Sequence, residues 1–528
     1  MFLLIGITNC LFIVSGKGLD CLIKNLLFVE VEVIQVDDLS VAYHGVFLFK
    51  GASFSLQRRE RCGLVGVNGS GKSTLFKLLL GEETPDSGNI SISKGYQIGS
   101  LKQHLTFTES TLIGEAAMAL PKDEREYPYR VETMLFGLGF KEEDMERSPA
   151  EFSGGYQLRL HLAKLLVTEP DCLLLDEPTN YLDIVSIRWL TRFLQTWQGE
   201  MLLISHDREF MDQVSTHTMG IHRGGVRKSK GGTGKYFESI LIEEEVHEKT
   251  RLSVEKKKAH LQGFIDRFGA TASKAVQAQA RQKMIDKIPA LEKLKSLHSL
   301  DFEFTEAPFF GKMMLDAQDI AFKYTPTSPT IVKKFSLEIE RGERIAIIGK
   351  NGRGKSTLLK LIAEELDPQE GVVKKGENVS IGYFGQTNID RLHPEHTIIE
   401  EIQLANSKLS QTQVRGICGV MMFSADQAKK KNGVLSGGEK SRVLLGKILA
   451  TPCNLLLLDE PTHHLDMESI EALVDALETF KGSVVFITHS ELILRQLDLN
   501  KIILCSENEQ EIFLGNYEEF LDKKGWDE

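Results

Sequence analysis

FSGGYQLRLHLAKLLVTEPDCLLLDEPTNYLD fills Phe152–Asp183, and LSGGEKSRVLLGKILATPCNLLLLDEPTHHLD fills Leu435–Asp466. Each copy opens with Ser-Gly-Gly (Ser153, Gly154, Gly155; Ser436, Gly437, Gly438) ahead of an amphipathic stretch. This predicts a turn feeding a helix, whose N-terminal N–H groups offer a site for an anion. An apolar run follows in each, Cys172–Leu175 and Leu455–Leu458, ending in Asp-Glu. Such a run predicts a buried parallel strand that delivers two carboxylates to its C-terminal end. An anion site and a carboxylate pair need a phosphate between them.

The phosphate cradle lies upstream. Gly66, Val67, Asn68, Gly69, Ser70, Gly71, Lys72, Ser73 and Thr74 match G-x-x-x-x-G-K-[ST]. Gly349, Lys350, Asn351, Gly352, Arg353, Gly354, Lys355, Ser356 and Thr357 match it again. Both follow short apolar runs and precede Leu-rich stretches, the strand–loop–helix context this loop requires. Backbone N–H groups are expected to wrap phosphates, Lys72 or Lys355 to neutralise the β/γ oxygens, and Ser73 or Ser356 to hold Mg²⁺. A shift of 283 carries Lys72 onto Lys355, Gln103 onto Gln386, Ser153 onto Ser436, Asp176 onto Asp459, Asp183 onto Asp466 and His206 onto His489. A repeat this long means two copies of one domain.

From about residue 34 to about 522 the chain resembles an ABC-F ATPase of the Uup/YbiT-like kind: two ATP-binding cassettes on one chain, without a membrane domain. The resemblance implies an α/β fold of two tandem P-loop NTPase domains joined by a helical hairpin linker. It implies ATP and Mg²⁺ as ligands and hydrolysis of ATP to ADP and phosphate. Asp176 and Asp459 become Mg²⁺ ligands beside Ser73 and Ser356. Glu177 and Glu460 polarise the attacking water, Gln103 and Gln386 touch Mg²⁺ and that water, and His206 and His489 contact the γ-phosphate. Tyr43 and Tyr324 match the adenine-stacking aromatic, although their offset of 281 weakens the pairing and keeps a plain strand aromatic close behind as a reading. Each Ser-Gly-Gly caps the partner's loop, so one site pairs Lys72 with Ser436 and the other Lys355 with Ser153. The second half departs from the pattern at His463 and Ser490, where the first has Asn180 and Asp207, so equal turnover at the two sites does not follow from the repeat.

The expected domains are residues 33–240 and 306–528 for the cassettes, 241–305 for the linker, and 1–32 for an extension. Phe2–Val14 is apolar but only thirteen residues long, too short to span a bilayer, and no Lys or Arg precedes it as in a signal peptide. The extension reads as a start assigned too far upstream, with Val33 at the place where relatives begin. Seven scattered cysteines without a C-x-x-C pair fit a reducing, cytoplasmic location.

A net charge of −11 excludes a general polyanion binder. Yet Lys249–Lys295 holds twelve Lys/Arg against four Asp/Glu. This basic segment reads either as a surface for ribosomal RNA or as a solvated spacer between the cassettes. Fifty positions separate Gln103 from Ser153 and Gln386 from Ser436, so the arm that many ABC-F proteins insert in the first interval is not expected. The leading expectation is a monomeric, ATP-gated factor acting on the ribosome in translation. The alternatives are the ATPase subunit of a transporter with a separate membrane protein, or a DNA-associated ATPase. The latter is weakened because no C-terminal coiled coil follows the second cassette.

Overall fold

A computed structural model describes residues 3–7, 10–14, 32–43, 46–67, 69–100, 107–121, 125, 129–152, 154–180, 182–268, 283–284, 303–385, 392–423, 426–462, 465–507 and 509–526. Asn68, Gln103, Ser153, Gln386, His463 and most of the expected second linker helix lie outside these residues.

Each repeat builds the same two sheets. In the first, six strands run in the order Gly225–Lys230, His217–His222, Arg61–Val65, Glu200–Ile204, Cys172–Asp176, Ile98–Ser100. All neighbours are parallel except the hairpin that closes one edge. The second repeats the order with Gln510–Leu514, Lys501–Cys505, Arg344–Gly349, Ser483–Ile487, Leu455–Asp459 and Ile381–Phe384. A three-stranded antiparallel sheet flanks each. The central strands are apolar between their charged ends because helices and the smaller sheet cover both faces. Leu455–Asp459 and Ser483–Ile487 are buried at every position.

Strand order positions the site. The strand entering each phosphate loop lies beside the one that leads to the histidine, and that one lies beside the carboxylate strand. Loop lysine, carboxylates and histidine therefore emerge from one edge of one sheet, at the C-terminal ends where parallel sheets hold ligands. The helices that follow the carboxylates begin alike. Asp183 accepts from the Ser186 N–H at 3.0 Å, and Asp466 from the Ser469 N–H at 2.9 Å, each capping a helix with its own side chain.

The cassettes are knit together by a reciprocal exchange. Ile184 is packed into the core of the second cassette, and Met467, its counterpart at the shift of 283, into the core of the first.

The linker helix, Thr233–Phe268, begins earlier than the expected boundary at 241. Asp212 takes the Thr233 N–H at 2.7 Å and its hydroxyl at 3.0 Å, while Tyr236 and Ile240 are buried in the first cassette's core. The change in composition near 241 marks where the helix leaves the body of the cassette, not where it starts. Its 36 residues extend about 54 Å at a rise of 1.5 Å each. Both intervals ahead of Ser-Gly-Gly hold a matching pair of short helices: Leu112–Ala117 with Tyr129–Gly137, and Ile398–Ala405 with Gln411–Val420. Among the described residues no longer arm is inserted in either. Strands Leu3–Ile7 and Cys10–Val14 pair only with each other, apart from the cassette sheets.

Candidate active site

The loop helices Lys72–Leu79 and Lys355–Ile362 start at Gly71 and Gly354, with φ of 101° and 82°, and neither has a side-chain cap. Gly69 and Gly352 also take positive φ, 81° and 77°, a region that favours glycine. The first-turn N–H groups thus stay open for an anion. Lys72 Nζ donates to Gly66 O at 2.6 Å and Val67 O at 3.3 Å. Lys355 Nζ donates to Gly349 O at 2.9 Å and Lys350 O at 3.0 Å. Both ammonium groups lie folded over their own cradle, and burial lowers both pKa values.

Ser73 Oγ donates to Asp176 Oδ2 at 2.9 Å, and Ser356 bonds Asp459. These hydroxyl–carboxylate pairs are all-oxygen donor sets suited to a small hard cation. Asp459 Oδ1 is buried and lacks a hydrogen-bond partner among the described residues. Burial, with the Glu460 charge next to it, raises the Asp459 pKa to about 6. Such a carboxylate fits a site that a cation completes.

Glu177 and Glu460 stand in the left-handed region, φ 49° and 50°, where non-glycine residues are uncommon. Each is fixed by its N–H, which donates to Ile204 O at 2.9 Å or Ile487 O at 3.1 Å across the neighbouring strand. This backbone turn separates each Glu from the Asp before it, and such strain gathers at functional positions. Burial first, and then Asp176, push the Glu177 pKa to about 8. His206 Nε2 lies 3.4 Å from Glu177 Oε1, and His489 Nε2 3.2 Å from Glu460 Oε1. Burial, reinforced by Lys355, keeps His489 below its ordinary pKa. A cavity of about 270 Å³ runs between the cassettes, bordered by Glu177, Asn180, His206, Glu460, Thr462 and His489.

Of the remaining expected residues, Tyr43 is tied to Glu83 through its hydroxyl, whereas Tyr324 bonds Thr357 Oγ1 at 3.1 Å. Both rings are substantially exposed. Ser436 caps its helix through a reciprocal pair with Glu439. At the matching place Tyr156 packs edge-on to Phe140 with Arg159 over its face. Asp207 caps the helix after His206, accepting from the Phe210 N–H at 3.0 Å, while Ser490 supplies no such bond after His489. The departure noted in the sequence therefore has a local consequence in the second half.

Contacts across the halves bring in residues that motif reading passes over. Asp183 Oδ2 accepts from the Asn351 N–H, in the opposite phosphate loop, at 3.1 Å. The Asp183 charge is felt at Lys355 and that of Asp466 at Lys72. Arg353 reaches Glu507 at 2.8 Å, and Lys141 of the first cassette reaches the same carboxylate at 2.8 Å. The shift of 283 also carries Arg188 onto Glu471 and Arg208 onto Glu491. Arg188 Nε meets Glu491 Oε1 at 2.5 Å, and Arg208 pairs with Glu471. One cassette supplies both arginines and the other both glutamates. Reversing the arginines (Arg188→Glu with Arg208→Glu) should weaken cassette pairing by up to about 1 kcal/mol per pair lost, with like-charge repulsion added. Adding Glu471→Arg and Glu491→Arg should restore it. Fluorescence transfer between dyes on the two cassettes reads both outcomes.

Two phosphate loops, each facing an Asp-Glu strand end, one hydrogen-bonded to an aspartate of the other half and the other feeling the charge of its counterpart, define a tandem ATP-binding-cassette ATPase. A sequence model described as ABC transporter matches residues 49–180 and 332–463, and a second of that description matches 219–304. The chain is 36% identical over 522 residues to the probable ATP-binding protein YbiT of Escherichia coli O157:H7, covering 90% of this chain and 97% of the relative. It is 33% identical to ABC transporter F family member 5 of Arabidopsis thaliana, covering 93% and 77%. The chain belongs to the ABC-F family, and it is an ATPase. The fold matches a solved complex of archaeal ribosomal stalk protein aP1 and ribosome recycling factor aABCE1, at TM-score 0.65, 20% identity and 92% coverage of each chain. No helix of the described residues is long and apolar enough to cross a membrane.

Proposed function

We propose that the chain is a cytoplasmic, monomeric, ATP-gated factor that meets the ribosome through its linker helix. In this reading Lys72 and Lys355 turn from the loop carbonyls to the phosphates of two ATP molecules. Ser73 with Asp176, and Ser356 with Asp459, hold Mg²⁺. When bound, that ion would offset the charge of the phosphates beside it. Glu177 and Glu460 orient the attacking water and take its proton, with His206 and His489 fixing each carboxylate and facing the γ-phosphate. Gln103 and Gln386 complete the water's surroundings. Ser436 caps the nucleotide on Lys72, and Ser153 the one on Lys355.

The observation that carries the ribosome reading is the charge layout of the linker helix. Its root is acidic but neutralised, since Glu243 pairs with Arg227 and Glu244 with Arg223 at 2.7 Å. Further out Lys256 and Lys257 are exposed and Lys258 half-buried, and the basic run continues in sequence to Lys295. A helix that neutralises part of its acidic root by ion pairs and projects cations further out suits a phosphate backbone. In a Glu177→Gln/Glu460→Gln background, Lys256, Lys257, Lys258, Lys274, Arg281 and Lys283 replaced by Glu should lower co-sedimentation with ribosomes in ATP by roughly tenfold or more at moderate salt. Undiminished sedimentation of a folded, ATP-binding variant would leave the helix a spacer and return weight to the transporter and DNA-associated readings.

A further inference from the structure

The second cassette carries a side-chain cluster that ATP chemistry does not use. His393, His396 and Glu401 present one nitrogen or oxygen each, all within 4.8 Å of one another. Both imidazoles aim Nδ1 at the same atom, Glu401 Oε2, at 3.2 Å and 3.4 Å, and their rings stack at 4.5 Å. Glu401 is fully buried, and its other oxygen takes Lys447 Nζ at 2.6 Å. Asn432 Nδ2 also approaches Oε2, at 3.4 Å. Even so, His396 Nδ1 and Asn432 Oδ1 are buried without hydrogen-bond partners among the described residues. Oε2 also takes the His393 N–H at 3.4 Å, and His393 Nδ1 lies within hydrogen-bond distance of it, so His396 Nδ1 is the nitrogen left unpartnered beside the carboxylate. A buried imidazole nitrogen aimed at a carboxylate without a bond is not the ordinary outcome of a satisfied network, and a shared cation would account for it.

The spacing fits. Two ligands of a tetrahedral metal at about 2.0–2.1 Å stand about 3.3 Å apart, close to the two nitrogen–oxygen separations here. The first cassette supplies the contrast. Its buried Glu115 pairs with Lys164 at 2.5 Å, the counterpart of Lys447, but its second oxygen is satisfied by Thr108 N–H at 2.7 Å, Glu109 N–H at 2.9 Å and the Thr108 hydroxyl at 3.2 Å. No histidine approaches it among the described residues.

We propose that His393, His396 and Glu401 form a binding site for a borderline-soft divalent ion of the Zn²⁺ class, present in the second cassette alone. The two imidazole ligands favour such ions over Mg²⁺, and solvent completes the coordination on the exposed side of His393. The site clamps the segment that leads into the second Ser-Gly-Gly. The Asn432 N–H donates to His396 O and the Gly433 N–H to Pro394 O, both at 2.9 Å, and Lys447 lies on the helix that Ser436 opens. Occupancy thus stiffens the mounting of Ser436.

The test is a Co²⁺ titration of the full chain without nucleotide or Mg²⁺, read by visible absorption, with Zn²⁺ competition. The wild type should show one tetrahedral site per chain that Zn²⁺ displaces. His393→Ala/His396→Ala and His393→Asn/His396→Asn, both changes near the surface, should weaken it at least 10–100-fold, the loss typical even for partners one bond removed from a metal ligand. Zn²⁺ should raise the melting temperature of the wild type and not of the variants. Folded variants that bind Co²⁺ as the wild type does, or a wild type that shows no such band, would overturn the proposal.

Discussion

Glu177→Gln combined with Glu460→Gln should leave ATP binding intact and lower hydrolysis by roughly 10²–10⁴-fold, the usual size of general-base catalysis. The amide keeps the shape of the carboxylate and cannot take a proton. The phosphate cradle is built from other groups, namely backbone N–H donors, Lys72 and Lys355. Nothing in the substitution disturbs them, and the φ near 50° at both positions suits Gln as well as Glu, since neither is β-branched. The buried Glu177 carboxyl, pushed to about 8 by burial and Asp176, costs the fold something as a charge. The amide relieves that cost, so the variant should be at least as stable as the parent. The protein should accumulate with two ATP per chain and its cassettes closed. Phosphate release and filter-retained nucleotide, measured on the same sample, check both halves of the expectation. Activity within a fewfold of the parent would remove Glu177 and Glu460 from the chemistry.

Ser436→Arg should empty the nucleotide site on Lys72 and spare the one on Lys355. The helix Gly437–Ala450 begins at Ser436. In a shared site its first-turn N–H groups face the γ-phosphate of the opposite loop, and a guanidinium there fills that space. Loss of an anion-stabilising donor costs about 10²–10³-fold in rate, so turnover at that site should fall by at least this much. The reciprocal contacts already run across the halves: Asp183 reaches Asn351 at 3.1 Å, and Met467 enters the core of the first cassette. Photolabelling with an azido-ATP and mapping the labelled loop peptides shows which site is lost.

The sequence discloses the two cassettes, because the motifs carry their context with them. A phosphate loop must lie between a strand and a helix, and Asp-Glu must end a buried strand, but the strand order and the flanking antiparallel sheets depend on pairings that no motif states. The linker boundary was harder to read, since Thr233–Ile240 is tied down by Asp212 and by burial of Tyr236, neither visible in composition. Tyr43 and Tyr324 differ for a similar reason: a glutamate at 83 captures one hydroxyl, while the other finds Thr357. The interface is written in the repeat but carries no motif. The repeat that aligns Lys72 with Lys355 also turns Arg188 into Glu471 and Arg208 into Glu491. Only three-dimensional pairing shows that these inversions face each other. The histidines over Glu401 escape motif reading altogether, because the carboxylate they share lies five residues beyond His396 and has no counterpart histidines in the first half.

The central claim is that two ATP sites are each built from both halves of one chain. Counting bound ATP in a Glu177→Gln/Glu460→Gln background tests it most directly. Lys72→Ala with Ser436→Arg places both lesions in one shared site and should leave one ATP per chain. Lys72→Ala with Ser153→Arg strikes both sites and should leave almost none. The reverse pattern, with ATP retained by the second variant and lost from the first, would contradict the account.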